Sequence, residues 1–153
     1  LPPLAKATAN YLNSVLAKVE ALQAGYDEAI VLTTSGAVSE GPGENIFFAK
    51  NGELITPWIA TGPLQGITMD SVKQIARDLG TRVVEREVLR EELFLADEVF
   101  FTGTAAEVTP VREIDGRVVG VGTRGPITEK LQSKFFEIVR GKDPNYVKWL
   151  TYV

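Results

Sequence analysis

Hydrophobic and polar residues recur with two different periods along the chain, and the changes between them predict the order of helices and strands. Apolar residues at spacings of three and four indicate three amphipathic helices. These helices are expected to begin after Lys6, at Gly62-Pro63 and at Gly125-Pro126. Their apolar stripes are Leu12, Val15, Leu16, Val19 and Leu22; inward-facing Ile67, Val72, Ile75, Ala76 and Leu79; and inward-facing Ile127, Leu131, Phe135 and Ile138.

Shorter apolar runs between glycine turns predict the strands. In chain order they are EAIVLTT (expected to be buried), AVSE, NIFFAK, ELITP, TRVVEREV, DEVFFTGTA, VTPVREI and RVVGVG. Asn51-Gly52 and Asp115-Gly116 are typical of hairpin turns. REELFLA is expected to form a short helix, and the aromatic tail NYVKWLTYV to pack against the rest. Because helices and strands do not alternate strictly, we predict an α+β fold with a mixed, largely antiparallel sheet, not a doubly wound parallel one.

Length and charge narrow the class of protein. A chain of 153 residues with 44% hydrophobic residues is long enough to bury one core, so one domain is expected. There is no apolar run of about 18 residues, so no membrane span is expected. The net charge is -4, and the basic residues are scattered, which disfavours binding to nucleic acid. The cytoplasm is the expected compartment.

The chain has neither histidine nor cysteine. It therefore offers no imidazole base, no thiolate nucleophile and no ordinary zinc ligands, and no metal site is expected. Chemistry near neutral pH must use lysine, carboxylates or hydroxyls, or a cofactor that brings its own reactive group.

Three glycine-containing turns follow predicted strands or precede a predicted helix. They are SEGPGEN at 39–45, LQGIT at 64–68 and TGTAAE at 102–107. Backbone N–H groups in such turns and at helix N-termini bind phosphate or carboxylate. LQGIT is thus a candidate phosphate site, with TGTA supplying further donors. The alternative is that all three are ordinary turns and caps.

Two charged residues are candidates for the chemistry. Lys6 lies among Ala5, Ala7 and Thr8 without an acidic neighbour, and a desolvated lysine amine is free to attack a carbonyl. Glu40 ends a predicted strand, where a carboxylate turned inward needs a cationic or N–H partner. Each residue has a plainer interpretation as a solvated surface charge.

Taken together, these stretches resemble the branched-chain amino acid aminotransferases, which belong to the class IV, or fold-type-IV, pyridoxal phosphate enzymes. The matching stretches, in order, are K-x-x-x-NYLNS, DEAIVL, SEGPGENIFF, LQGIT, ADEVFFTGTAAEVTPV, IDGR, and the ending GP-x-T followed by Y-x-x-WL. The resemblance implies the large cofactor-binding domain of that fold, with a mostly antiparallel sheet or pseudo-barrel flanked by helices. It also implies pyridoxal 5'-phosphate as cofactor.

The resemblance assigns roles at the cofactor ring. Lys6 matches the lysine that binds the cofactor covalently as a Schiff base and moves the proton between Cα and C4′. Tyr11 matches the tyrosine that hydrogen-bonds the phenolic oxygen. Glu40 matches the acid paired with the protonated pyridine nitrogen, and Leu64 packs on the ring.

The resemblance also assigns the anion contacts. Gly66, Ile67 and Thr68 match the phosphate cup at a helix start, and the Gly103-Thr104 turn also reaches the phosphate. The backbone of Thr104 and Ala105 is implied to receive the substrate α-carboxylate. In the position after GIT, where the family usually has arginine, this chain has Met69, so any charge from that position is in doubt.

The expected organisation is a linker at 1–7 that enters a large domain at 8–153, because the chain starts with Leu1 and two prolines. The family's N-terminal small domain, with its phosphate-binding arginine and part of the substrate pocket, is expected to be a separate part or chain. A homo-oligomer is also implied.

The implied reaction is transfer of the amino group of L-leucine, L-isoleucine or L-valine to 2-oxoglutarate. D-amino-acid aminotransferases and 4-amino-4-deoxychorismate lyases share the lysine and glutamate and stay as alternatives. A catalytically silent cofactor-binding module is another. A cofactor-independent Schiff-base lyase would leave Glu40 and the anion cup unexplained.

Overall fold

Helices and strands are interleaved along the chain in the computed structural model, which describes residues 5–151. The α-helices are α1 (Tyr11–Gln23), α2 (Ile67–Asp78), α3 (Arg90–Phe94) and α4 (Pro126–Val139). The strands are β1 (Val31–Leu32), β2 (Val38–Glu40), β3 (Asn45–Lys50), β4 (Glu53–Pro57), β5 (Val83–Arg86), β6 (Glu98–Gly103), β7 (Glu107–Val111), β8 (Glu113–Ile114) and β9 (Arg117–Val118). Short 3₁₀ helices cover Thr8–Asn10, Ile59–Thr61 and Pro144–Trp149. The expected linker at 1–7 and the tail ending at 153 lie partly outside the described residues.

The main sheet has the strand order β5-β4-β3-β6-β7. Its neighbouring pairs are antiparallel except β4 with β5, which are parallel because α2 crosses over between them. Asn51 and Gly52 both have positive φ, as the tight β3-β4 turn requires, and Asp115-Gly116 do the same between β8 and β9. The predicted α+β fold with a mixed, mostly antiparallel sheet is confirmed.

The two faces of this sheet bury different sets of side chains, because successive strand residues point to opposite sides. Phe47 of β3 and Phe100 of β6 are cross-strand partners whose rings stack at 5.3 Å, and they pack with α2 and α4 on one face. Ile46, Phe48 and Phe101 are buried on the other face. Every second residue of β3 therefore faces α2, including Asn45 at the strand's start.

Several local predictions were wrong. EAIVLTT forms only the two-residue strand β1, whose Leu32 is exposed, because its partner β2 is short and separate from the main sheet. The second helix begins at Ile67 rather than at Gly62-Pro63, since Gly62 has a positive φ and ends a 3₁₀ turn. The Ile67 side chain is 84% exposed instead of facing inward. It lies on the opposite side of α2 from buried Ala76, roughly 180° around the helix at 3.6 residues per turn, while Thr68 and Met69 of the same first turn are buried.

The first helix lies where predicted, but its apolar stripe does not reach the core. None of its residues in the described part of the chain is buried. The stripe residues are 44–67% exposed, and they are Leu12, Val15, Leu16, Val19 and Leu22. The third predicted helix behaves differently, because Leu131, Phe135 and Ile138 of α4 are buried against the sheet.

The aromatic tail packs down as predicted over its described part. Tyr146 is buried, its ring meets Trp149 edge-on at 4.7 Å, and its hydroxyl donates to the Asp78 carboxylate at the end of α2. Burial and this hydrogen bond raise the pKa of Tyr146 to about 12. Within residues 5–151, no helix is long and apolar enough to cross a membrane.

The N-terminus of α4 is held by a carboxylate from the sheet. Glu98 of β6 is buried, and its two oxygens accept hydrogen bonds from the backbone N–H of Ile127 at 2.9 Å and of Thr128 at 2.7 Å. Those N–H groups have no partner within the helix. A Cβ on Gly125 would overlap the Glu98 side chain, so glycine is required there for this contact.

Replacing Glu98 with alanine is expected to lower the free energy of unfolding by about 2–3 kcal/mol, because two buried N–H groups lose a charged acceptor. Urea unfolding of the complete protein measures this loss. Exposed Glu87 is the matched control, and Glu87→Ala should change stability by less than about 0.5 kcal/mol. Equal stability of the two variants would contradict this account of how α4 is held.

Candidate active site

A cleft at the ends of β2, β6 and α2 collects most of the residues that the sequence marked. Those lining it are Lys6, Tyr11, Glu40, Leu64, Gly66, Thr68, Gly103 and Thr104. They come from stretches nearly 100 residues apart in the sequence, so only the folded sheet brings them together. The side chains of Ile67 and Ala105 do not line the cleft; both are exposed.

The lysine and the tyrosine enter from the N-terminal segment. Lys6 precedes the 3₁₀ turn Thr8–Asn10, and Tyr11 is the first residue of α1. The Lys6 side chain is exposed, so the structure does not supply the desolvation that the sequence argument invoked. Within residues 5–151 it makes no ion pair, and it is the only lysine that lines the cleft.

Glu40 is a half-buried acid in the lining of the cleft. Its Oε2 accepts hydrogen bonds from the Leu64 backbone N–H at 2.9 Å and, more weakly, from Asn45 Nδ2 at 3.4 Å. Its Oε1 accepts no hydrogen bond from the described residues. Burial raises the pKa of Glu40, the Leu64 N–H offsets part of this effect, and the neighbouring Glu44 carboxylate adds to it. A cation placed at Oε1 would therefore be strongly favoured.

The N-terminus of α2 lines another part of the same cleft. Gly66 is its N-cap, no side chain caps it, and the first helical bond runs from the Asp70 N–H to the Gly66 carbonyl at 3.0 Å. The N–H groups of Ile67 and Thr68 are thus without intrahelical partners and carry the positive end of the helix dipole. This part of the cleft has the unpaired N–H groups that suit an anion.

Met69 differs in role from the arginine common at this position in the family. Its side chain is buried in the core between the sheet and α2. It contributes packing and no charge, and the free N–H groups of the turn do not depend on it.

Sequence reasoning missed three polar residues in the cleft. Asn45 and Thr102 are cross-strand partners at the ends of β3 and β6, and both are buried. The Thr102 hydroxyl has no hydrogen-bond partner. Glu44 accepts a hydrogen bond from the Gly43 N–H at 3.0 Å, which folds the glycine loop, and burial raises its pKa. A polar residue that opens an otherwise apolar strand, as in NIFF, is a signal that could have marked Asn45, although it does not reveal the residue's partners.

Known proteins share both the sequence and the arrangement. The family described as Amino-transferase class IV matches residues 2–114. The chain belongs to this class IV aminotransferase family. The branched-chain-amino-acid aminotransferase of Pseudomonas aeruginosa is 50% identical over 149 residues, which are 97% of this chain and 48% of that protein.

Solved structures agree with this assignment. The branched-chain aminotransferase of Thermoproteus uzoniensis, crystallised with norvaline, is 54% identical with a TM-score of 0.95 over 99% of this chain and 50% of that chain. The branched-chain amino acid aminotransferase of Thermobaculum terrenum in its PLP-bound holo form is 49% identical with a TM-score of 0.96, over 99% and 50%. This class IV chain therefore spans about half the length of the relatives it matches.

The raised pKa of Glu40 predicts a pH effect on the cofactor-free protein. Between the ordinary pKa of a glutamate and its raised value, the folded state binds more protons at Glu40 than the unfolded chain does. The free energy of unfolding consequently falls as pH rises through that window. Glu40→Gln removes the effect, so the variant should gain stability over the wild type at about pH 8 and lose that gain at about pH 4.

Urea unfolding of both proteins at the two pH values measures the difference. Exposed Glu113 supplies the control, because Glu113→Gln should show no such pH dependence. A gap between Glu40→Gln and the wild type that stays the same at both pH values would show that Glu40 is not destabilised by burial.

Proposed function

We propose that this chain is the cofactor-binding part of a pyridoxal phosphate-dependent branched-chain amino acid aminotransferase. The reaction moves the amino group of L-leucine, L-isoleucine or L-valine to 2-oxoglutarate. The observation that carries the proposal is the placement of Lys6, Glu40 and the α2 N-terminus around one cleft. An amine, an uncompensated carboxylate and an anion cup are the three groups that a phosphate-bearing pyridine aldehyde needs.

The residues present fit this cofactor. Glu40 has a free oxygen and no cation beside it in the described residues, which suits a protonated ring nitrogen. The free N–H groups of Ile67 and Thr68 suit the phosphate, and the unpartnered Thr102 hydroxyl adds a buried polar atom in the same cleft. Gly66 keeps the turn open, since a Cβ there would overlap Asn45 Oδ1.

Bound in this cleft, pyridoxal phosphate would supply an electron-withdrawing ring that stabilises negative charge at the substrate Cα. Lys6 Nζ would hold the aldehyde covalently, and the same amine, when free, would carry the proton taken from the substrate Cα. The Glu40 carboxylate holds the positive charge at the ring nitrogen. Tyr11 donates its hydroxyl to the phenolic oxygen, and Leu64 covers a face of the ring.

Two further groups of residues are proposed to bind the cofactor phosphate and the substrate carboxylate. The turn formed by Gly66, Ile67 and Thr68, with Gly103-Thr104 opposite, binds the phosphate through N–H and hydroxyl groups. The backbone N–H groups of Thr104 and Ala105 receive the substrate carboxylate, which leaves both side chains free to stay exposed, as they are. The Met69 side chain takes no part.

The rest of the active site is proposed to come from a small domain and from a second copy in a homo-oligomer. Residues 1–7 are proposed as the linker from that small domain, and residues 8–153 as the large domain. The substrate pocket then depends on side chains of that small domain and of the second copy.

Supplying the complete protein with pyridoxal phosphate, 2-oxoglutarate and L-leucine, L-isoleucine or L-valine tests the proposal. The expected result is formation of glutamate and the branched 2-oxo acid, and an absorbance band of covalently bound cofactor. Turnover with D-alanine alone would assign a D-amino-acid aminotransferase, and conversion of 4-amino-4-deoxychorismate would assign a lyase. Absence of cofactor uptake would overturn the enzyme assignment altogether.

A further inference from the structure

Asn45 contacts the two ends of the cleft that matter here, which are the Glu40 carboxylate and the N-terminus of α2. It opens β3, and its side chain lies on the sheet face that Phe47 and Phe100 share with α2. At the start of that strand its side chain reaches the segment that leads into α2, where it donates to the Leu64 carbonyl. It is 6% exposed, so its amide is removed from water and needs partners.

The Asn45 amide contacts both the Glu40 carboxylate and the segment that begins α2. Its Nδ2 donates to the Leu64 carbonyl at 2.7 Å and, at 3.4 Å, to Oε2 of Glu40. The same Oε2 accepts the Leu64 N–H at 2.9 Å, so the acid, the amide and Leu64 form a closed set of hydrogen bonds. Oδ1 occupies the space beside Gly66 where a Cβ would stand.

We infer that Asn45 is a positioning residue that fixes the spacing between the Glu40 carboxylate and the N-terminus of α2. This inference rests on the proposed function, because the spacing matters only if one ligand contacts both ends. A ring nitrogen at Glu40 and a phosphate at Ile67 and Thr68 belong to one rigid molecule, so an error in their separation weakens both contacts together. Asn45 acts through these groups and does not touch the reacting atoms.

The hydrogen bonds of the Asn45 side chain also explain why asparagine suits this position better than aspartate or alanine. Aspartate has the same shape but no N–H donor, and it would face the Leu64 carbonyl and the Glu40 carboxylate with a third negative oxygen. Alanine would leave the Leu64 carbonyl and Glu40 Oε2 without this donor, and it would free the space beside Gly66. Both changes should therefore loosen the acid and the helix start together.

The test measures the dissociation constant of pyridoxal phosphate in the complete protein, by equilibrium dialysis, and the circular dichroism of the bound cofactor. Asn45→Ala should weaken binding by about tenfold to a hundredfold. It should also reduce the cofactor's dichroism, which reports how rigidly the ring is held. The same substitution in a Glu40→Gln background should cost at least about threefold less, because part of its effect passes through the Glu40 carboxylate.

A structural control separates positioning from general loosening. Thr56 of β4 is buried and donates from Oγ1 to the Ile46 carbonyl at 2.7 Å, away from the cleft. Thr56→Val removes a comparable buried hydrogen bond and should leave cofactor affinity and dichroism as in the wild type. If Asn45→Ala does not fold, the nearly isosteric Asn45→Asp is measured in its place, with an expected loss at least as large.

The outcomes separate the two proposals. No uptake of pyridoxal phosphate by the wild type would end the proposed function itself. Uptake by the wild type with no loss in the Asn45 variants would end the positioning role alone. The positioning role would also be overturned if Asn45→Ala weakened cofactor binding equally with and without Glu40→Gln. It would be overturned as well if Thr56→Val weakened binding as much as Asn45→Ala does.

Discussion

Replacing Lys6 with alanine is expected to lower turnover of L-leucine with 2-oxoglutarate by at least about 10³-fold in the complete protein. The reason is that Lys6 is the only lysine among the described residues that lines the cleft, so no other amine there replaces it. The variant should also lose the absorbance band of covalently bound cofactor, while the anion cup and Glu40 still hold cofactor without a covalent bond. Steady-state assays and absorbance spectra of the purified protein measure both effects.

Lys142 provides the matched control. It is an exposed lysine beyond the end of α4 and far from the cleft lining, so Lys142→Ala should keep both turnover and the absorbance band. Undiminished turnover in Lys6→Ala would remove this lysine from the mechanism. An absorbance band that survives in Lys6→Ala would place the covalent attachment on another amine.

Replacing Glu40 with glutamine is expected to slow removal of the Cα proton by about 10²-fold while cofactor stays bound. Glutamine keeps the size of the side chain and an oxygen for the Leu64 N–H, but it no longer carries the charge that holds a proton on the ring nitrogen. Single-turnover kinetics with deuterated L-leucine measure the step, since a slower proton transfer shows as an isotope effect on the observed rate.

Glu44, the carboxylate next to Glu40 in the cleft, is the control for the Glu40→Gln prediction. Glu44 lines the same cleft and burial also raises its pKa, but the Lys18 ammonium offsets part of that rise, whereas no cation among the described residues offsets the raised pKa of Glu40. Glu44→Gln should therefore slow the step at least tenfold less than Glu40→Gln does. A larger effect at Glu44 would assign the ring nitrogen to that acid instead.

The local pattern of residues was sufficient to predict most helices and strands and to suggest a class of chemistry. The stripes of α2 and α4 predicted buried helix faces because side chains three and four residues apart share one face, and the core confirms this for Val72, Ile75, Leu131 and Ile138. Ile67 is exposed because it lies on the opposite side of α2 from Ala76, so the prediction that it shares the apolar face was wrong, whereas Thr68 and Met69 beside it are buried. An apolar residue at the start of a helix belongs to the buried face only if its angle around the helix agrees with the others.

The candidate site likewise combines features that are visible in the sequence with contacts that only the fold creates. Glycine turns and an isolated lysine are visible in the sequence as possible anion and carbonyl sites, yet each alone fits an ordinary turn or a surface charge. The likeness of Lys6, Glu40 and LQGIT to one family gave them a common role. Asn45 stayed hidden because its partners, Leu64 and Gly66, lie about twenty residues away, and hydrogen bonds across that separation leave no local pattern.

By itself the sequence determined that this chain contributes no histidine or cysteine, that the sheet is mixed, and that Lys6, Glu40 and two glycine turns are candidates. These follow from residue types and local spacing, which need no tertiary contact. Only the tertiary structure decided that the candidates share one cleft, that α1 keeps its apolar stripe on the surface, and that Glu40 faces the start of α2 through Asn45. The physical reason is that these contacts join segments distant in the chain: the β3-β6 register sets Asn45 opposite Thr102, and hydrogen bonds to Leu64 tie Glu40 and Asn45 to the segment before α2.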